Sequence, residues 1–229
     1  MKSGFIIVAA GKGSRMQQQL PKQFLLLNDR PVIIHTIEKI RSALPDSPIV
    51  LVYNSQHQEH WERIRKDFRA LMEDIIMTEG GEERFYSVKN GFMALPRVHV
   101  VGVHDGVRPF LNPVFIMQLI TEAYQKGSAI PYIHPVESTR ITEKDHFKYI
   151  AREKICLIQT PQCFLYDWLK LSFNQPYSTE FTDEARMVEN FGFQLNFVPG
   201  LRENIKITTP FDYTIARAII STGQGDNFL

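Results

Sequence analysis

Short apolar runs alternate with amphipathic stretches through the first two-thirds of the chain, and this alternation constrains the fold more than any other feature. Apolar runs of this length fit buried strands, and the amphipathic stretches between them fit helices that connect one strand to the next. The pattern predicts an α/β fold with a mostly parallel sheet and helices on both faces. The predicted strands are 5–10, 49–53, 75–79, 98–104, 129–134, 195–198 and 205–208, and the predicted helices are 32–42, 58–71, 82–95, 113–125, 183–191 and 210–220.

The residues at the helix ends support this assignment. Asn112 can cap the predicted helix 113–125, which has proline at its first position, and Thr182 is expected to cap the predicted helix 183–191, with two acidic residues facing its positive end. Gly127 and Gly192 stand where a left-handed residue commonly ends a helix.

Residues 135–157 break the alternation, because they are polar, irregular and charged. They predict a β-hairpin arm inserted in the domain, with its turn near residues 144–146. No low-complexity tract or linker marks a second domain, so residues 1–229 are expected to form a single domain that carries this arm.

Composition excludes several classes of protein. Hydrophobic residues make up 44% of the chain and charged residues 22%, as in globular proteins, and a net charge of +1 argues against a nucleic-acid or membrane-surface binder. The first apolar run is too short to span a bilayer and leads into glycines, so it predicts a strand and not a signal peptide. Cys156 and Cys163 lack metal or disulfide spacing and lie in a stretch that predicts a buried strand, which suggests free thiols in a cytoplasmic protein.

The first predicted strand ends in the small residues Ala9, Ala10, Gly11 and Gly13. Glycines let backbone N–H groups approach a phosphate or a base edge that a Cβ would obstruct, so this loop indicates a nucleotide. It is not a dinucleotide-binding loop, because Met16 occupies the position of the third glycine, and the ATPase-type loop is absent.

Two cations, Arg15 and Lys22, follow the glycine turn. Attack on an α-phosphate concentrates negative charge on the phosphoryl oxygens and on the departing pyrophosphate. Fixed cations at that place lower the barrier more than they stabilise the ground state.

Four further segments carry polar residues suited to the same chemistry: 80–87, 103–109, 159–162 and 204–208. The first two lie at the carboxyl ends of predicted strands, where open parallel sheets bind ligands. Together with the glycine loop, the segments resemble the 2-C-methyl-D-erythritol 4-phosphate cytidylyltransferase family in motif order and separation over nearly the full chain. The resemblance implies a Rossmann-like nucleotidyltransferase fold and Mg²⁺-dependent transfer of CMP from CTP to 2-C-methyl-D-erythritol 4-phosphate. It also implies a homodimer and a place in the non-mevalonate route to isoprenoid precursors.

On the nucleotide side, the resemblance implies that Gly81 and Ser87 read the cytosine. Glu82 stands where many relatives have aspartate. Asp105 would hold the ribose region and help to orient the metal, whose ligands the resemblance does not assign. The other CTP-side residues that it implies are Ala9, Ala10, Gly11, Gly13 and Gly106, with Arg15 and Lys22 as the cations at the transition state.

On the acceptor side, the resemblance points to Thr139, Arg152, Thr160, Thr182 and Lys206. A phosphate monoester carries about two negative charges at neutral pH, so cations must bind it and offset its repulsion from CTP. Arg152 suits a bidentate grip and Lys206 a point charge. The attacking oxygen is already ionised, so no general base is required.

The arm predicts how two chains would pack. It carries more apolar side chains than a lone hairpin should expose, and an isolated hairpin is only marginally stable, so the same arm of a twofold mate would cover them. The resemblance suggests that Thr139 and Arg152, which flank the arm, reach the acceptor phosphate of the neighbouring subunit. The apolar residues of the arm are Ile141, Phe147, Tyr149 and Ile150.

Two alternatives stay open from the sequence. A ribitol 5-phosphate cytidylyltransferase would share these motifs, although segments 180–185 and 198–200 look more like the methylerythritol branch. A non-catalytic nucleotide-binding protein would be expected to lack at least one of the four predicted catalytic cations, and all four are present: Arg15, Lys22, Arg152 and Lys206.

Overall fold

The computed structural model describes residues 1–11, 20–144 and 146–222. Among these residues the main sheet has eight strands, and two further two-stranded sheets lie outside it. The strands are β1 (Ser3–Val8), β2 (Leu26–Leu27), β3 (Arg30–Pro31), β4 (Ile49–Tyr53), β5 (Ile76–Glu79), β6 (Val100–Asp105), β7 (Ser128–Ile133), β8 (Thr139–Glu143), β9 (His146–Ile150), β10 (Leu157–Ile158), β11 (Gln162–Leu165) and β12 (Phe197–Pro199). The helices are α1 (Val32–Ala43), α2 (Gln58–Asp67), α3 (Arg69–Met72), α4 (Arg84–Ala94), α5 (Pro113–Lys126), α6 (Tyr166–Ser172), α7 (Glu184–Asn190) and α8 (Pro210–Ser221).

The main sheet is parallel on one side and mixed on the other. Strands β5, β4, β1 and β6 lie side by side and run parallel, with Val8 level with Asp105 on one neighbour and with Val52 on the other. Strand β11 pairs antiparallel with β6 and β7, and β7 also pairs with β10 and β12. The parallel strands therefore end together, and residues 8, 52 and 105 mark one edge.

Both faces of the sheet are covered, as the near-continuous apolar runs predict. Phe5 and Ile7 pack in a cluster with α1 and α5, whereas Ile6 packs in a second cluster with α4, α6 and α7. The predicted α/β fold with a mostly parallel sheet between helices is therefore confirmed.

Several predicted elements differ in detail. The predicted helix 58–71 is two helices, α2 and α3, which are separated at Phe68. Helix α6 was not predicted. The buried strand expected around the two cysteines is confirmed for Cys163, which is buried in β11, but not for Cys156, which is exposed and lies outside the strands. Helix α7 is capped by Asp183 and not by Thr182, because the Asp183 carboxylate is the group that accepts from the N–H of Arg186.

The predicted strand 205–208 is wrong. These residues form no strand, since their link to the segment after β6 is one backbone hydrogen bond from Ile207 to Val107. The apolar side chain of Ile207 is buried in a small cluster with Val107 and Ala216 of α8. Its burial therefore comes from this cluster and not from a place in a sheet.

The helix ends and the arm otherwise follow the prediction. The side chain of Asn112 accepts from two N–H groups of α5, and Gly127 and Gly192 have φ values of +90° and +108°. Strands β8 and β9 form an antiparallel hairpin that is a separate sheet, and Lys144 in its turn has a φ of +55°.

Candidate active site

The carboxyl ends of the parallel strands open onto a cleft of about 620 Å³, here called the edge cleft. Its walls are the end of β1, the segment after β4 and the segment that joins β5 to α4. The described residues that the sequence predicted to contact CTP and that line this cleft are Ala10, Gly11, Gly81, Glu82 and Ser87.

The segment between β5 and α4 lies directly against the segment after β1. The Gly80 N–H donates to the Tyr53 carbonyl at 2.8 Å, and a Cβ on Gly80 would lie 2.4 Å from the Cβ of Ala10. Gly81 donates its N–H to the Ser87 hydroxyl at 3.0 Å. Glycine is therefore required where the two segments meet, and Ser87 fixes the backbone of Gly81 that faces the cleft.

Asp105 ends β6 and is surrounded by three cations. Its Oδ1 accepts from Arg84 at 2.9 Å, and its Oδ2 accepts from Lys206 at 3.0 Å and from Arg108 at 3.2 Å. Burial acts to raise the pKa of Asp105, but the charges of Arg84, Lys206 and Arg108 outweigh it and hold that pKa well below its ordinary value. Asp105 is therefore ionised and both of its oxygens are engaged.

Arg84 carries the network to a second carboxylate. Its Nε and NH2 donate to the two oxygens of Glu184 at 3.0 and 2.8 Å, and Glu184 is 4% exposed. Burial raises the pKa of Glu184, and the charge of Arg84 opposes that rise. Asp105, Glu184, Arg84, Arg108 and Lys206 are together called the charge cluster below.

Thr160 lies against the backbone of Asp105. The Thr160 hydroxyl accepts from the Asp105 N–H at 3.1 Å and so donates its one proton to Nδ1 of His104, 2.9 Å away. His104 then carries its proton on Nε2, which donates to the Arg108 carbonyl at 3.3 Å. Because burial lowers the pKa of His104 to about 3, this ring is neutral.

Asn204 connects three predicted segments. Its side-chain amide donates to the Thr160 carbonyl at 2.8 Å, and its own carbonyl accepts from Arg108 at 2.7 Å. Thr160 and Lys206, both predicted acceptor-side residues, are thereby brought to Asp105. Gly106 follows directly, where a Cβ would lie 2.8 Å from the Ile33 side chain.

Lys22 begins a short helical turn, Lys22–Phe24. The next residue, Gln23, is 2% exposed and donates to the carbonyl of Ala9 at 3.1 Å, which ties this turn to the end of β1. Gly13 and Arg15 lie outside the described residues, so their predicted roles stay predictions.

Of the three other predicted acceptor residues, Thr139 and Arg152 have their described side-chain contacts away from the charge cluster, and Thr182 precedes Glu184 of that cluster by two residues. The Thr139 hydroxyl donates to the Ile150 carbonyl at 2.6 Å, and Arg152 contacts the Val136 carbonyl at 2.7 Å and its neighbour Glu153, so both residues bond within the arm. Thr182 is exposed beside the start of α7.

Sequence reasoning missed the residues that hold the site together. Arg84 and Arg108 stand inside segments that the sequence singled out, yet nothing there showed that both bind Asp105. Gln162, which is 1% exposed, accepts from the N–H of Ala185 and donates to Asp183, so it fixes the start of α7 to β11. A polar residue inside an apolar strand is the one signal that could have found Gln162.

The described residues do not form a magnesium cage. No group of three or more His, Cys, Asp or Glu side chains is placed to hold a metal ion within ranges 1–11, 20–144 and 146–222. Two carboxylates end parallel strands, Glu79 in β5 and Asp105 in β6. The three cationic partners of Asp105 make its surroundings unfavourable for a divalent cation.

Comparison with known proteins decides the family. The family model described as IspD, 2-C-methyl-D-erythritol 4-phosphate cytidylyltransferase, matches residues 4–222. The chain belongs to this family.

Individual relatives match nearly the whole chain. Proteins named 2-C-methyl-D-erythritol 4-phosphate cytidylyltransferase from Phocaeicola vulgatus and Bacteroides thetaiotaomicron are 42% and 40% identical to it, and each match covers 96% of this chain and 100% of the relative. The crystal structure of the Francisella tularensis protein of that name is 28% identical with a TM-score of 0.74, over 95% of this chain and 99% of that one.

A further solved structure supports the fold. The 4-diphosphocytidyl-2C-methyl-D-erythritol synthase from Anaerococcus prevotii has a TM-score of 0.80 at 24% identity, over 96% of both chains. The predicted nucleotidyltransferase fold is thus confirmed. Within the described residues, no helix has both the length and the apolar character needed to cross a bilayer.

Proposed function

We propose that the protein transfers CMP from CTP to 2-C-methyl-D-erythritol 4-phosphate, giving 4-diphosphocytidyl-2-C-methyl-D-erythritol and pyrophosphate. One observation carries the proposal: a cleft lined by glycines and a cluster of three cations meet at Arg84, at one edge of a parallel sheet. The product serves the non-mevalonate synthesis of isoprenoid precursors.

The reaction brings two anionic substrates together, and the cations of the charge cluster lie where they can reduce the repulsion between them. An acceptor phosphate oxygen forms a bond to the α-phosphorus of CTP, while the bond from that phosphorus to the β-phosphate oxygen breaks and pyrophosphate leaves. Lys206 and Arg108 are held at Asp105 beside the cleft, where their charges offset the repulsion between the two substrates. Arg15 and Lys22 are the proposed cations at the α-phosphoryl group.

Magnesium belongs to the proposal as a partner of CTP. Mg²⁺ commonly binds through substrate phosphates and retained waters with few protein carboxylates. Because three cations already engage both oxygens of Asp105, the triphosphate is left as the main ligand. When bound it would neutralise phosphate charge. Removal of divalent ions by a chelator should abolish turnover, and added Mg²⁺ should restore it.

The substrates are tested by pyrophosphate release. With CTP, turnover of 2-C-methyl-D-erythritol 4-phosphate should exceed that of ribitol 5-phosphate, which neither the family match nor the named relatives favour. CTP should be preferred over ATP and GTP by several powers of ten, because a small site with fixed polar groups rejects a larger base. Equal rates with both acceptors, or with ATP and CTP, would contradict the proposal. A homodimer, a single domain and a cytoplasmic location stay predictions from the sequence.

A further inference from the structure

Glu184 is a buried carboxylate to which the proposed reaction gives no role. Its two oxygens accept from two different nitrogens of Arg84, at 3.0 and 2.8 Å. A bidentate pair of this kind fixes the plane of the guanidinium as well as its distance. Glu184 therefore leaves Arg84 little freedom to rotate.

Glu184 is itself held firmly. The residues on either side of it are bound by Gln162 of β11: the N–H of Ala185 donates to the Gln162 side chain at 2.8 Å, and Gln162 donates to Asp183 at 2.9 Å. Strand β11 pairs with β6, the strand that ends at Asp105. The position of Glu184 is thus set by the same sheet that sets Asp105.

Because Arg84 is fixed by Glu184, it also fixes the position of the Asp105 carboxylate. Its remaining terminal nitrogen, NH1, donates to Oδ1 of Asp105 at 2.9 Å, and Arg84 is also one of the residues that line the edge cleft. With Oδ1 taken by Arg84, the other oxygen of Asp105 is left for Lys206 and Arg108. Each step from Glu184 to Lys206 is one direct ion pair.

We infer that Glu184 is a positioning residue, which holds Arg84 so that Asp105 presents Lys206 to the acceptor phosphate at a fixed distance from the edge cleft. The inference rests on the proposed function, because it assigns Lys206 to the acceptor of that reaction. Glu184 acts through Arg84 and is not a catalytic residue.

If Glu184 served only to balance the positive charge of the cluster, its variants would have different kinetic effects. The charge cluster holds three cations and two carboxylates, so loss of one carboxylate makes it more positive. If balance were its whole role, KM for the two anionic substrates would fall with kcat unchanged, and aspartate would replace glutamate without effect. If Glu184 positions Arg84, either change misplaces the cation, and kcat should fall on the order of 10- to 100-fold.

The experiment compares Glu184→Gln, which keeps the shape and loses the charge, with Glu184→Asp, which keeps the charge and is one methylene shorter. Glu180→Gln is the matched control, because Glu180 lies in the same segment and pairs with Arg186 at the surface. The kcat should fall in both Glu184 variants, with a raised KM for the acceptor. The control should behave as wild type.

Arg84→Lys decides the matter if the Glu184 variants do not fold, since a quarter of the Arg84 side chain is exposed and lysine keeps the charge while losing the bidentate pair. A folded Arg84→Lys or Glu184→Asp protein with wild-type kcat would overturn the inference. Lower KM values with unchanged kcat in Glu184→Gln would do the same. An inactive wild-type protein would instead contradict the proposed function, so the two failures are distinguishable.

Discussion

Two consecutive residues of β6 show how the surroundings of a side chain set its charge. His104 and Asp105 are both buried, but three cations hold Asp105 in its ionised form, whereas desolvation keeps His104 neutral with a pKa of about 3. The neutral ring accepts from Thr160 and donates to Arg108, so it is a structural support beside the charge cluster.

The pKa of His104 predicts a pH dependence of stability. Between about pH 3 and pH 6.5 the unfolded chain binds a proton that the folded protein does not, so the free energy of unfolding falls as the pH falls through this range. Denaturant unfolding should show that the free energy of unfolding falls between pH 7.5 and pH 5.5 by about 1 kcal/mol more in wild type than in the His104→Gln variant. Glutamine can keep both hydrogen bonds, and the opposing contribution of Glu184, whose pKa is raised, is present in both proteins and cancels in the difference. Equal losses in the two proteins would show that His104 titrates alike when folded and unfolded.

At the scale of elements, the edge cleft depends on how closely two connecting segments meet. The β5–α4 segment approaches the end of β1 so that Gly80 has no space for a side chain, with Ala10 as the obstacle. The Ala10 Cβ is fixed to its backbone, so the conflict cannot be relieved by rotation of a side chain.

Gly80→Ala should therefore separate the two segments and weaken the binding of CTP, with a KM raised about tenfold or more and a loss of stability of roughly 1–3 kcal/mol from overpacking. The compensating variant is Gly80→Ala with Ala10→Gly, which removes the obstructing Cβ. The double variant should recover part of the lost affinity relative to the two single variants, as measured by calorimetric titration with CTP. A Gly80→Ala protein with wild-type affinity would contradict the close approach of these segments.

At the scale of the whole molecule, the arm exposes apolar surface that one chain leaves uncovered. Phe147 is 73% exposed and Tyr149 67%, on a hairpin that forms a sheet of its own. Thr139 and Arg152 bond within this arm and make no described contact with the charge cluster of their own chain. Both observations are compatible with the predicted homodimer, in which the acceptor site is shared.

Subunit mixing tests the shared site. Lys22→Ala and Arg152→Ala should each lower kcat on the order of 10²-fold or more, because each removes a fixed cation from the reaction. In a heterodimer of the two, one site would combine an intact Lys22 with the intact Arg152 of the other chain. Random exchange should thus restore about a quarter of wild-type activity. If exchange is demonstrated by mass spectrometry and activity stays at the level of the separate variants, Arg152 acts within its own chain.

The sequence by itself determined the elements whose signals are local. Apolar runs gave the parallel strands, Asn112 and Gly127 marked the two ends of α5, and the polar segment 135–157 predicted the arm and its turn. These follow from side-chain chemistry over a few residues, so no knowledge of distant contacts was needed. The glycine loop and the segment order likewise pointed to the family that the comparisons show.

Only the tertiary structure decided which residues the site brings together. Arg84 and Glu184 are 100 positions apart, and nothing in the residues around either one indicates the other as its partner. Their pairing exists because the first residue of α4 and the first residue of α7 meet in the folded chain. Residues 205–208 have the composition of a strand, but Ile207 is buried against Val107 with one hydrogen bond and no ladder. Burial and partner choice depend on where the chain returns to the sheet, and local residue patterns do not contain that information.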